Sequence, residues 1–189
     1  MKNLIVLILF LSSVTLFAQK PCEYSSNVND SIGTYKTTKE YIISEKHFGG
    51  TSSYVFYSLA LTDGTPSLNV QLLSKSKEFI KANCFDKNSK IFLQLTNGKI
   101  ITLLHNEEEN CGTMLRDEKG FDNRINSGTF LFMKGSFEEL KQSTVSLMRI
   151  KYLTDTEDYV FPKELKSELD STVYYPENYF IDNIRCVEN

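Results

Sequence analysis

The sequence predicts a β-rich α+β domain, mainly antiparallel, with a few short helices and disulfide staples. Three observations carry that prediction. Tyr (10) and Phe (13) are plentiful while Trp is absent, and aromatics with many Ser and Thr favour strands over helices. Apolar and polar residues alternate with period two over several stretches, separated by turn dipeptides such as Asp63-Gly64 and Asn97-Gly98. Four cysteines follow a segment that reads as an export signal, which places them in an oxidising compartment.

That segment has a positive start in Met1-Lys2-Asn3, an apolar run from Leu4 to Phe17, and a small residue, Ala18, at the expected cut. The apolar run is shorter than the ~20 residues a membrane-crossing helix needs, and no second run of spanning length follows. Cys22 is preceded by Gln19, Lys20 and Pro21, where a lipid-anchoring signal requires small apolar residues. Residues 1–18 are therefore read as a cleaved signal peptide. Residues 19–189 are expected to form a single β-rich domain, periplasmic or secreted, with neither a lipid anchor nor a membrane span. Loss of Lys2 takes the formal charge from -3 to -4. No basic patch is visible, which argues against nucleic acid as a partner.

Residues 23–33 are polar and turn-like. Thr34 to Glu45 reads as one strand with Tyr35, Thr37, Tyr41 and Ile43 on a common face, ended by His47-Phe48-Gly49-Gly50. Tyr54 to Thr62 alternates Tyr54, Phe56, Ser58 and Ala60 against Val55, Tyr57, Leu59 and Leu61; apolar residues on both faces predict a strand covered on both sides. Leu68 to Leu73 is the next strand, and 74–83 is ambiguous between a helical turn and a short strand.

Lys90 to His105 reads as a hairpin. Asn97-Gly98 suits a two-residue type I′ turn, so facing residue numbers sum to 195: Ile91 faces Leu104, Leu93 faces Thr102 and Leu95 faces Ile100. Cys84 and Cys111 are equidistant from that turn, which predicts a Cys84–Cys111 disulfide and, by elimination, Cys22–Cys186. By loop length the shorter bridge contributes roughly 3–4 kcal/mol and the longer about 5.

Asn106 to Ser127 is a polar stretch, long for a structureless connection, and such loops are usually functional or mobile. Thr129 to Met133 is a strand. Ser136-Phe137-Glu138-Glu139 has the pattern of a capping box with Ser136 as N-cap. Ser146 to Leu153 is a strand with Met148, Ile150 and Tyr152 inward. Lys163 to Leu169 and Pro176 to Ile184 are expected as short helices.

The chemical signals are sparse. His105, Glu107, Glu108, Glu109, Asp117 and Asp122 are the candidate ligand or calcium residues of the 106–127 stretch, although the alternating Asp/Asn loop of a calcium site is missing. His105 itself is expected as an exposed strand-end residue. A serine triad would have to recruit one of two histidines, His47 or His105, and there is no Gly-x-Ser-x-Gly elbow. No catalytic residue, cofactor or resident metal is expected.

The Leu16-Phe17-Ala18-Gln19 signal end resembles a recurrent kind of secreted protein of Bacteroidota. So do Cys84-Phe85-Asp86-Lys87-Asn88-Ser89-Lys90 leading into a hairpin, and Ser136-Phe137-Glu138-Glu139-Leu140 leading to Met148-Arg149-Ile150. The resemblance covers about half the mature chain and implies export and a β-rich domain; no activity is assigned to the group. The expected function is a non-enzymatic binding or cell-envelope interaction module, whose partner is an envelope protein or an extracellular ligand. The alternatives are a carboxylate-based hydrolase, calcium-dependent or not, built on the 106–127 loop, and a structural partner of another envelope protein.

Overall fold

The computed structural model describes residues 21–188, so the signal segment and its cut after Ala18 lie outside the described residues. The chain folds as a mostly antiparallel β-sheet with two short helices and two disulfides. The strands are β1 (Tyr24–Asn29), β2 (Thr34–Thr38), β3 (Tyr41–Phe48), β4 (Thr51–Thr62), β5 (Thr65–Ser76), β6 (Lys90–Leu95), β7 (Ile100–His105), β8 (Thr113–Arg116), β9 (Asp122–Phe132), β10 (Val145–Lys151), β11 (Thr156–Val160), β12 (Leu165–Lys166) and β13 (Val173–Tyr174). The helices are α1 (Ser136–Gln142) and α2 (Tyr179–Asn183), the latter flanked by 3-10 turns.

Eleven strands form one sheet in the order β1-β2-β4-β5-β9-β7-β6-β10-β11, with β3 beside β4 and β8 beside β9. The sheet rolls over its own core. The Tyr57 hydroxyl on β4 donates to Met148 Sδ on β10, five positions along that order. Lys46 of β3 reaches the Tyr159 ring of β11, Nζ lying 5.5 Å from the centroid. Tyr57, Leu59, Leu68, Val70, Ile91, Leu93, Leu103, Phe130, Met148 and Ile150 fill the interior. Leu140, Tyr179, Phe180, Ile184 and Val187, from the helices and the 3-10 turn, join the same cluster. They close one end of the roll, Phe180 packing against both Tyr57 and Phe132.

Three turns decide the geometry. Gly49-Gly50 and Asp63-Gly64 take positive φ at both positions and make two-residue hairpins, pairing Phe48 with Thr51 and Thr62 with Thr65. The Asn97-Gly98 turn departs from its expected form. Only Gly98 has positive φ, the Gly98 amide donates to the Leu95 carbonyl, and the Leu95 amide donates to that of Lys99. This is a three-residue loop with a glycine bulge. Its conformation is held from outside: the Thr96 amide donates to the Thr144 carbonyl and the Asn97 amide to Ser143 Oγ.

Facing residues therefore sum to 194, Ile91 with Leu103 and Leu93 with Ile101. A one-residue change of register turns every side chain of one strand over. Ile101, Leu103 and His105 face the core, while Ile100 and Leu104 are exposed. At the open end the sum returns to 195, because the Phe85–Asn110 bridge has one more residue in its second arm than in its first. The structure joins Cys84 to Cys111 beside that bridge, and Cys22 to Cys186.

Other expectations change for local reasons. Residues 23–33 contain β1, whose polar residues pair with β2. The 34–45 strand is two strands broken at Lys39-Glu40. Ser136 lies inside α1, whose N-cap is Gly135 at φ 85; no side chain caps it, and Glu139 pairs with Lys99 at 2.6 Å instead. The helix expected over Lys163 to Leu169 is the short strand β12, paired with β13. Asp155 to Val160, read as no element, supplies β11.

Candidate functional site

The residues singled out in the 106–127 stretch do not converge. Most of that stretch, from Thr113 onward, is the β8–β9 hairpin, in which Thr113 pairs with Ile125 and Arg116 with Asp122. Asp117 sits in its turn, receiving Lys75 Nζ at 2.6 Å and the Phe121 amide at 2.9 Å. The lysine bond first and the amide second hold its carboxyl well below the usual range. Asp122 faces Arg116 at 3.7 Å, and Glu108 faces Lys87 at 2.7 Å. Among the described residues, the one set of three possible ligand groups within reach of a shared ion is Cys84, Glu109 and Cys111, and both sulfurs are in a disulfide.

His105 is buried, not exposed, as the register of β7 requires. Its ring packs between Phe85 and Phe130 at 5.4 and 5.2 Å. Nδ1 lies 2.9 Å from the Asp86 carbonyl, which can only accept, so Nδ1 carries the hydrogen. Nε2 has no hydrogen-bond partner, and Glu107 stands 4.0 Å away. His47 recruits a serine across the β3–β4 hairpin and a glutamate on its own strand: Nδ1 meets Ser52 Oγ and Nε2 meets Glu45 Oε1, both at 2.9 Å. The residue types are those of a hydrolytic triad, with the ring nitrogens exchanged. The line lies at a hairpin tip and contributes to neither of the two large cavities described next.

Convergence occurs at the end of the roll opposite the helices. There the inward face of the sheet becomes polar and opens into a cavity of about 430 Å³. Leu72 and Ser74 of β5, Arg124 and Asn126 of β9, Tyr152 after β10, and Asp155, Thr156, Glu157 and Tyr159 around β11 form its walls. Ile80, Lys81 and Asn83 come from the segment between β5 and β6, which crosses the opening as a strap. The strap is tied at several points. Arg124 Nε donates to the Ile80 carbonyl at 3.2 Å and Asn126 Nδ2 to that of Asn83 at 2.6 Å. The Leu153 amide donates to the Cys84 carbonyl at 2.9 Å, and the Cys84–Cys111 disulfide closes the end.

Glu157 is the polar centre of this mouth. Oε1 accepts from Asn83 Nδ2 at 3.2 Å; Oε2 accepts from the Tyr152 hydroxyl at 3.4 Å and from the Tyr159 hydroxyl. Burial raises the pKa of Tyr152 far above the ordinary phenol range, with Tyr159 and Glu157 adding to it. Burial, followed by Glu157, raises that of Tyr159. Both hydroxyls therefore remain protonated donors at any physiological pH. Lys81 and Asp155 pair with each other on the rim.

A second cavity, about 520 Å³, lies on the outward face of the same strands. Its floor is Ser58 and Ala60 of β4, Ser67, Asn69 and Gln71 of β5, and Ser127 and Thr129 of β9; Tyr35, Phe56, Glu40 and Glu107 complete its walls. Glu107 is the residue of the expected ligand set that reaches a cavity.

Sequence reasoning had Tyr152 on an inward face but missed its partners. Arg124 and Asn126 lay in a stretch read as loop, and Glu157 and Tyr159 in one read as no element. The alternation of Thr156 and Asp158 with Glu157 and Tyr159 was the available signal. The fold and these cavities define the class: a mostly antiparallel, disulfide-stapled β domain with a polar mouth. No protein-family model, curated protein or solved structure matches the chain.

Proposed function

We propose that the protein is an exported, non-enzymatic binding module that takes a small polar ligand in the mouth of its rolled sheet. One observation carries the reading: hydrogen-bonding side chains from the strap, β9, the end of β10 and β11 converge on one cavity of about 430 Å³. That volume is within the range of small-molecule sites, and the mouth of a curved sheet is a recurrent place for them. The tyrosines support binding rather than proton abstraction, because hydroxyls with raised pKa donate hydrogen bonds and do not act as bases. The tied strap holds the donors in place before the ligand arrives, which reduces the ordering cost of binding.

Export agrees with the two disulfides, which suit an oxidising compartment outside the cytoplasm. No helix among the described residues is long and apolar enough to cross a membrane. N-terminal sequencing of the mature protein is expected to begin at Gln19, in the periplasm or the medium.

The binding reading is tested by thermal unfolding of the oxidised protein against amino acids, dipeptides, sugars and nucleosides at millimolar concentration. At least one class is expected to raise Tm, and Tyr159→Phe with Asn83→Ala should reduce that rise. Failure of every class would overturn the reading, and a protein partner captured from native envelope whose footprint leaves the mouth open would put an envelope-interaction surface in its place.

A further inference from the structure

The charges of the mouth show a pattern that narrows its ligand. Four charged side chains line the cavity: Lys81, Arg124, Asp155 and Glu157. Lys81 and Asp155 neutralise each other. The other two are left without counter-charges among the described residues. Arg124 bonds only neutral acceptors, the carbonyls of Ile80 and Cys111 at 3.2 Å and Met114 Sδ at 3.6 Å. A guanidinium carries five N–H donors, so two remain for a further acceptor. Glu157 bonds only neutral donors, Asn83, Tyr152 and Tyr159. The two do not pair with each other, although both belong to one cavity.

Arg124 is half-buried and Glu157 is exposed at the rim, and a ligand that supplies both counter-charges gains a charge-assisted hydrogen bond at each. The mouth also has an apolar wall, Leu72 and Ile80, between polar ones. We propose that the ligand is an α-amino-acid zwitterion, a free amino acid or dipeptide with an apolar side chain. In this arrangement the ligand carboxylate takes the free N–H groups of Arg124, its ammonium group faces Glu157, and its side chain lies on Leu72 and Ile80. The assignment rests on the binding reading above and deepens it by naming the ligand class.

The experiment is calorimetric titration of the oxidised protein with L-leucine, glycyl-L-leucine, N-acetyl-glycyl-leucine and glycyl-leucinamide. L-Leucine or glycyl-L-leucine is expected to bind. Acetylation of the ammonium group and amidation of the carboxylate should each weaken glycyl-leucine by about tenfold or more, the scale of one lost charge-assisted hydrogen bond. Arg124→Gln should abolish the difference between the carboxylate and the amide, and Glu157→Gln the difference between the free and acetylated amine. Arg124→Lys keeps the charge and should restore part of the carboxylate preference, which separates a binding role from a folding one. If wild type binds the blocked dipeptides as tightly as the free one, the zwitterion assignment falls while the binding reading stands. The same holds if a sugar or nucleoside raises Tm and none of the four peptidic probes binds. If no probe of either experiment binds, both fall.

Discussion

The mouth and the outer groove are made by the same strands and differ in almost every chemical respect. On β5, Leu72 and Ser74 face the mouth while Ser67, Asn69 and Gln71 face the groove. On β9, Arg124 and Asn126 face the mouth while Ser127 and Thr129 face the groove. Period-two alternation thus divides one pair of strands between a charged cavity and one whose floor carries only neutral groups. The groove floor is also internally bonded, Thr129 Oγ1 lying 3.2 Å from Asn69 Oδ1. The mouth retains opposite charges whose bonds are all to neutral groups. Cavity volume does not separate the two regions; charges without a protein counter-charge do.

The comparison is broken most severely by removing the element that belongs to the mouth alone. Replacing Cys84 and Cys111 together with Ser should cost roughly 3 kcal/mol in urea unfolding. Hydrogen exchange should accelerate in residues 80–84, with the β4–β5 ladder unchanged; equal acceleration in both would show that the strap is not a separate unit. Next in size is Gly128→Ala, which tests the aromatic cluster beneath the groove. A Cβ there meets Phe85, His105 and Phe130 at 3.0–3.1 Å, and overpacking of this kind costs about 1–3 kcal/mol. A loss of Tm is expected; unchanged Tm would mean that the aromatic cluster yields freely.

The smallest effect concerns Asp117, in the hairpin turn whose strands carry Arg124 and Met114. Its folded pKa is depressed by Lys75 and the Phe121 amide, below an ordinary value of about 3.9. Its contribution is therefore complete above that value and is lost as pH falls through the folded pKa. Asp117→Asn should lower Tm slightly at neutral pH and flatten the acid limb of the Tm–pH curve. A variant that retains the wild-type acid limb would remove Asp117 from the account.

How much of this was legible depended on which interactions are local. The strands and their faces followed from alternation where both strands of a pair were read, as at Tyr54–Thr62 and Ser146–Leu153. The Asn97-Gly98 register did not, because Ser143 and Thr144, far along the chain, bond the loop and select a three-residue turn. That single displacement is why His105 is buried. The capping pattern at Ser136 gave way to Gly135, and Glu139 to Lys99. The candidate site was least legible, because acidic residues crowded in sequence at 107–109 drew attention, whereas the mouth draws single residues from strands whose adjacency only the rolled sheet creates.

The most direct measurement uses side-chain carboxamides, which report one face each, unlike backbone amides shared by both. Asn83 and Asn126 stand in the mouth, Asn69 and Gln71 in the groove, and all four give side-chain NH₂ signals in one ¹⁵N–¹H correlation spectrum. On titration with glycyl-L-leucine, the Asn83 and Asn126 signals are expected to shift while those of Asn69 and Gln71 stay in place. Shifts confined to Asn69 and Gln71, or no shift in any of the four, would contradict the account.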